Sequence, residues 1–193
     1  MQQGVGQKVR KVGWLAFAAL WAGLLAYALH AQFAYATTAG AAGQTPAVMP
    51  SASKLPRDTL LMFVHAECPC TRASLHELAD VLHARKLNAL LVVAPATAGR
   101  WEDSAAASIA KDIPSLRVFH DDGSEAKRFG AETSGYVVLY DAAGALRFAG
   151  GITGSRGHVG ENVAVADLRT VLATHAPASA AHPVYGCPLE SAQ

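Results

Sequence analysis

The sequence has 193 residues, of which 51% are hydrophobic and 16% are charged, and this length predicts one ordinary domain with appended segments. The formal net charge of +1 conceals an uneven distribution, because all fifteen acidic residues lie at or after Asp58. No run of basic residues occurs in the body that follows, which excludes nucleic acid from the expected partners.

A long apolar segment follows the basic N-terminus. Residues 12–29 carry no charged side chain, and Lys8, Arg10 and Lys11 precede them. A helix needs about 20 apolar residues to cross a bilayer, so residues 12–30 are predicted to be a transmembrane anchor behind a basic head at 1–11. The positive charges lie on the N-terminal side of this anchor, which predicts a cytoplasmic N-terminus and an exported body.

A cleaved signal peptide is the alternative interpretation of the same segment. The stretch Ala34-Tyr35-Ala36 has the small-x-small pattern at which a signal peptidase cuts. In either case the body is exported, and an exported protein is permitted to form disulfides.

The remainder of the chain divides by composition. Residues 31–54 are rich in Ala, Gly, Thr, Ser and Pro without periodicity, which predicts a flexible tether, because such a segment buries too little apolar surface to fold. The folded domain is expected at residues 55–176. A tail at 177–193, which contains Cys187, is expected to be mobile.

Within the body, apolar runs alternate with amphipathic segments. The predicted order is a strand from residue 59, a helix at 71–86, a strand at 89–94, a helix at 100–113, a strand at 116–119, a short helix at 124–129, a hairpin of strands at 136–140 and 145–149, and a helix at 161–173 capped by Asn162. Strands separated by helices pair in parallel, and a direct hairpin pairs antiparallel. An α/β fold with a mixed central sheet flanked by helices is therefore expected.

Two cysteines occupy the turn between the first strand and the first helix of the body. Cys68 and Cys70 flank Pro69 there. Unpaired N–H groups and the helix dipole favour negative charge at a helix N-terminus, so a cysteine at this position ionises more readily than a free one. The thiolate is the species that attacks disulfides and binds metals.

Several further motifs carry a resemblance to a known family. They are Cys68-Pro69-Cys70-Thr71-Arg72-Ala73-Ser74, Phe129-Gly130-Ala131, Thr133-Ser134-Gly135, Gly150-Gly151-Ile152-Thr153-Gly154, Arg156-Gly157-His158 and Tyr185-Gly186-Cys187-Pro188-Leu189. With the order of elements, they resemble the thioredoxin-like superfamily, and more narrowly the RedB-type thioredoxin-like proteins of bacteria. The resemblance implies a thioredoxin-like fold and a thiol–disulfide oxidoreductase held on the bacterial inner membrane, with its domain in the periplasm.

The same resemblance implies the participants in the reaction. Cys68 and Cys70 are the implied catalytic residues, the substrate is a protein disulfide or dithiol, an electron-donor partner recycles the cysteines, and no cofactor is expected.

The sequence departs from that of ordinary thioredoxins at three positions. Here Thr71 stands where a second cysteine usually lies, Gly135 stands where a cis-proline faces the site, and Met62 replaces a buried acid.

These three departures leave two questions open: which side chain transfers protons, and which cysteine resolves the mixed disulfide. His65 and Glu67 are the nearest titratable side chains for moving a proton. With Cys68 as the nucleophile, Cys70 is the nearest resolving cysteine, and Cys187 takes that role if the Cys68–Cys70 bridge is too strained. Gly135 is predicted to lie opposite the cysteine turn, and Gly135→Pro is expected to alter activity while leaving the fold largely intact.

Two alternatives to redox chemistry remain. A purely structural disulfide would leave one of the three cysteines idle. A copper- or zinc-binding module would use Cys68, Cys70 and Cys187, supplemented by a histidine, for which the candidates are His65, His158 and His182.

Overall fold

A computed structural model describes residues 3–41, 43–66, 68–85, 87–95, 100–178 and 180–189. The chain divides into two compact units, residues 1–37 and residues 38–193. The first unit is helix α1, Gln3–Thr37, and its residues 13–37 are long and apolar enough to cross a membrane or to act as a signal sequence. The helix continues beyond the predicted end at residue 30, because residues 31–37 contain neither Gly nor Pro to stop it.

The second unit is built on one mixed five-stranded sheet with the strand order β3-β2-β1-β4-β5. Its elements are β1 Thr59–Val64, α2 Thr71–Ala84, β2 Ala89–Val93, α3 Ala105–Lys111, β3 Leu116–His120, α4 Ser124–Arg128, β4 Tyr136–Tyr140, β5 Leu146–Gly150 and α5 Val163–Thr174. Strand β1 pairs in parallel with β2 and antiparallel with β4. Strand β3 pairs in parallel with β2, and β5 pairs antiparallel with β4.

The core lies on both faces of this sheet, and the central strand β1 is buried along its whole length. Leu60, Met62 and Val64 of β1 join a cluster with residues of α2, α3 and α5, whereas Leu61 and Phe63 join a second cluster that includes residues of α4. Alternate side chains of a strand point to opposite faces, so β1 is apolar on both faces from Leu60 to Val64. The predicted α/β fold class, a mixed central sheet flanked by helices, is confirmed.

Some element boundaries differ from the predictions. Residues 100–113 form a 3-10 turn at Trp101–Asp103 followed by α3, because the Ser104 side chain accepts a hydrogen bond from the Ala107 N–H and starts a new helix. The predicted cap of α5 is confirmed, since Asn162 accepts hydrogen bonds from the first turn of that helix. Val163, the first residue of α5, has an exposed side chain.

The segment expected to be a flexible tether packs against the body after residue 37. The N–H of Met49 donates to Gly144 O at 2.8 Å, and the Met49 side chain is buried in the core. The hydroxyl of Tyr140 donates to Pro46 O at 2.8 Å, and Ser53 Oγ donates to Glu125 at 2.7 Å. Hydrogen bonds and the buried side chain of Met49 hold this segment in place. The composition of the segment indicates neither of them.

The segment expected to be a mobile tail also belongs to the body, as far as Leu189. His182 forms an isolated parallel bridge with Gly150 at the end of β5, and Pro188 forms an antiparallel bridge with Thr133 in the loop before β4. A Cβ on Gly150 would collide with the backbone of His182, so glycine permits the close approach. This path returns Cys187 to the cysteine turn.

Candidate functional site

The cysteine turn joins the end of β1 to the start of α2. The Thr71 N–H donates to Cys68 O at 3.1 Å, and the Ser74 N–H donates to Cys70 O at 3.2 Å, so the turn leads directly into the helix. Cys68 and Cys70 are buried, and Pro69 between them is exposed. The sulfur atoms therefore lie at the N-terminus of α2, as the sequence predicts.

The loop before β4 packs against this turn through small polar side chains. Ser134 Oγ accepts a hydrogen bond from the His65 N–H at 3.2 Å and lies 3.0 Å from Thr71 Oγ1. Both hydroxyls are buried. Thr71, predicted as an auxiliary residue, thus links the start of α2 to a partner that sequence reasoning missed.

Gly135 lies beside the first turn of α2, and its backbone conformation corrects the expectation that proline would fit there. Its φ is +92°, and a Cβ would lie 2.9 Å from Ser74 Oγ. Its N–H also donates to Phe63 O at 2.8 Å. Proline fixes φ near −65° and has no N–H, so it satisfies neither requirement of this position.

The C-terminal segment brings the third cysteine into contact with the first. The Cys187 N–H donates to Cys68 Sγ at 3.4 Å, and the Ser134 N–H donates to Cys187 O at 2.8 Å. Arg156 donates a hydrogen bond to the carbonyl of Gly186. These contacts fix Cys187 next to Cys68, although 119 positions separate the two in the chain.

The three thiols differ in their tendency to ionise. Burial raises the pKa of the Cys68 thiol, but hydrogen bonds to its sulfur outweigh burial, so the pKa is lowered overall. The donors are the N–H and thiol of Cys187, the side chain of Thr71 and the N–H of Cys70. Hydrogen bonds of this kind stabilise the charged form of an acid, and Cys68 is therefore the thiol best prepared to act as a thiolate.

The other two thiols are held in their neutral forms. Burial, together with the charge of Cys68, raises the pKa of Cys70 and raises the pKa of Cys187 to about 12. The positive charge of Arg156 lowers both values in part. Arg156 is a second site residue that sequence reasoning missed. The only signal for it was its place in the Arg156-Gly157-His158 motif.

One histidine joins the cysteines, and the other candidates do not. A ring nitrogen of His65, Cys68 Sγ and Cys187 Sγ lie within 4.8 Å of one another. His158 is exposed, and His182 contacts Asp167 Oδ2 at 2.9 Å and stacks on a phenylalanine ring. Glu67, the other candidate for proton transfer, lies outside the described residues.

The sequence matches no protein-family model and no curated protein. Among solved structures, the chain is similar to an uncharacterized conserved protein from Geobacillus kaustophilus, with 18% identity, a TM-score of 0.57 and coverage of 81% of this chain and 93% of that one. It is similar to a hypothetical protein from Sinorhizobium meliloti, with 20% identity, a TM-score of 0.54 and coverage of 80% and 95%. A third similar structure is the exposed lipoprotein thioredoxin of Streptococcus pneumoniae, with 20% identity, a TM-score of 0.42 and coverage of 67% and 99%.

Proposed function

We propose that this protein is a thiol–disulfide oxidoreductase in which Cys68 is the nucleophile. The observation that carries the proposal is the convergence of hydrogen-bond donors on Cys68 Sγ, among them the N–H of Cys187 at 3.4 Å and the N–H of Cys70. A thiolate stabilised in this way is the attacking species in disulfide exchange.

The reaction consists of two exchange steps. The Cys68 thiolate attacks one sulfur of a substrate disulfide, a mixed disulfide forms, and the first substrate sulfur leaves as a thiolate. A second cysteine of the protein then attacks Cys68 Sγ, and the second substrate sulfur leaves. The substrate gains two electrons, and the protein retains a disulfide, which an electron-donor partner reduces to restore the two thiols.

The contacts favour Cys187 over Cys70 as the resolving cysteine. Cys187 is held against Cys68 by its own N–H, whereas a Cys68–Cys70 bridge would close across Pro69 alone. The contact therefore decides between the two, since the charge of Cys68 contributes to the raised pKa of both Cys70 and Cys187. Formation of the mixed disulfide removes that charge, so Cys187 ionises more readily at the step that needs its thiolate. Cys70 then serves mainly as a donor to the Cys68 sulfur.

The assignment is tested by replacing each cysteine singly with serine and exposing the reduced protein to oxidised glutathione. Cys68→Ser should abolish the mixed disulfide. Cys187→Ser should make the Cys68 adduct accumulate, since the resolving step is lost, and intact-mass measurement after acid quenching reports the adduct. Cys70→Ser is the matched control and should still resolve the adduct. Accumulation in Cys70→Ser but not in Cys187→Ser would assign resolution to Cys70.

We also propose that α1 anchors the domain to the outer side of the bacterial inner membrane. The support is an apolar helix of 25 residues, Gly13–Thr37, behind the basic residues Lys8, Arg10 and Lys11, which favour a cytoplasmic N-terminus. Protease added to intact spheroplasts should digest the domain while a cytoplasmic marker protein survives. A protected domain would contradict this topology, and a mature N-terminus after residue 36 would identify a cleaved signal instead.

A further inference from the structure

The reduced cysteine site contains a cluster of side chains suited to a soft metal ion. We propose that the reduced protein binds one copper(I) ion through Cys68, Cys187 and His65. The three candidate ligand atoms lie within 4.8 Å of one another, two of the three residues are buried, and the third is half-buried. Of the ligands expected from sequence, Cys70 is absent from this cluster, and His65 is the candidate histidine that joins it.

Each ligand is supplied by a different part of the backbone. His65 follows the last residue of β1, Cys68 lies in the turn before α2, and Cys187 comes from the C-terminal segment. The His65 N–H is tied to Ser134 Oγ at 3.2 Å, and the Ser134 N–H is tied to Cys187 O at 2.8 Å. The two ligand-bearing backbones are therefore held by one intervening serine, which organises the cluster without a metal.

The chemistry of the ligands selects the ion. Thiolate sulfur favours copper(I) and zinc, and imidazole accepts both metals. Zinc completes a tetrahedron with a fourth ligand, a protein side chain in structural sites or a water in catalytic ones, whereas copper(I) is satisfied by the three soft ligands that this cluster contains within the described part of the chain. Copper(I) with two thiolates carries a net charge of −1, and Arg156, which binds the carbonyl beside Cys187, supplies the compensating positive charge.

Binding requires no change of oxidation state when copper is supplied as copper(I). Two thiols lose their protons to solvent, two copper–sulfur bonds form, and the imidazole donates through a ring nitrogen. The same two sulfurs form the resolving disulfide proposed above, so metal and disulfide exclude each other. The site nevertheless stands independently of the oxidoreductase proposal, because it requires only reduced thiols.

The test is a competition titration of full-length reduced protein in detergent, with bicinchoninate as the copper(I) chelator. We expect one copper(I) per chain, and X-ray absorption should show two sulfur atoms and one nitrogen atom around the metal. Cys68→Ser, Cys187→Ser and His65→Gln should each weaken binding by more than the roughly 10–100-fold cost of losing an outer hydrogen-bond partner. Cys70→Ser is the matched control: it keeps the Cys70 N–H that donates to Cys68 Sγ, and it should weaken binding by no more than that cost of roughly 10–100-fold.

Several outcomes would overturn the copper(I) site. If Cys70→Ser lost binding and Cys187→Ser retained it, the metal would be assigned to Cys68 and Cys70 in the cysteine turn. A shell containing sulfur alone would remove His65 from the ligands, and this measurement on the wild-type protein is unaffected if His65→Gln misfolds. Displacement of copper(I) by equimolar zinc(II) would reject the choice of metal. Failure of the glutathione experiment leaves these measurements unchanged, so the two proposals are separable.

Discussion

Oxidation of the reduced protein should raise its free energy of unfolding by about 5 kcal/mol if the disulfide joins Cys68 to Cys187. The two residues are 119 positions apart, and a crosslink that closes a loop of this length removes about 5 kcal/mol of chain entropy from the unfolded state at 25 °C. A Cys68–Cys70 bridge closes a loop of only two or three residues, for which the same relation gives about 1.5 kcal/mol.

The two bridges are distinguished by pulse proteolysis of oxidised and reduced full-length protein across a urea series. The oxidised form of Cys70→Ser should keep the full stabilisation, since its Cys68–Cys187 pair is intact. Cys187→Ser should lose most of it, because any remaining bridge closes a short loop. A large stabilisation that persists in Cys187→Ser would exclude the long-range bridge.

The proposed Cys68–Cys187 bridge would also connect redox state to the position of the C-terminal segment. Reduction leaves that segment held by hydrogen bonds, including Ser134 N–H to Cys187 O and Leu189 N–H to Glu132 O, each 2.8 Å long. Oxidation adds a covalent bond at the same place. In the proposed reaction a substrate must reach the sulfur of Cys68, which is buried and in contact with the Cys187 N–H, so we expect the C-terminal segment to move aside in the reduced state.

The sequence predicts the central elements of the fold because their signals are local. An uninterrupted apolar run identifies β1, the spacing of Leu75, Leu78 and Leu82 identifies the buried face of α2, and a side-chain cap marks the start of α5. The position of Cys68 and Cys70 at the start of α2 is predicted in the same way, because the end of β1 and the beginning of α2 are both recognised from the sequence. Each of these inferences needs only neighbours within about one or two helical turns.

The parts that sequence reasoning missed depend on long-range pairing. Cys187 reaches Cys68 through bridges from His182 to Gly150 and from Pro188 to Thr133, and the residues that make these bridges show no periodicity. Met49 is likewise a single buried anchor in a segment of low complexity. Composition averages over such segments, so one apolar residue and a few backbone hydrogen bonds leave no pattern to detect.

Replacing Gly135 with proline should lower the free energy of unfolding by at least about 3 kcal/mol. The native φ of +92° is closed to proline, and the substitution removes the 2.8 Å hydrogen bond from this N–H to Phe63 O. Both effects act at the start of β4, next to the site, so activity should fall together with stability. Urea unfolding monitored by far-ultraviolet circular dichroism measures the change.

Alanine variants separate the causes of this loss. Gly135→Ala keeps the N–H but places a Cβ 2.9 Å from Ser74 Oγ, whereas Gly123 has a similar φ of +94° with open space around its Cβ position. Gly123→Ala should therefore cost only the conformational penalty of about 1–2 kcal/mol, and Gly135→Ala should cost more. Adding Ser74→Ala to Gly135→Ala should recover the excess, because a double-mutant cycle isolates the contact between the two side chains. Equal costs for the two single alanine variants, with no recovery in the double variant, would show that Ser74 does not restrict this position.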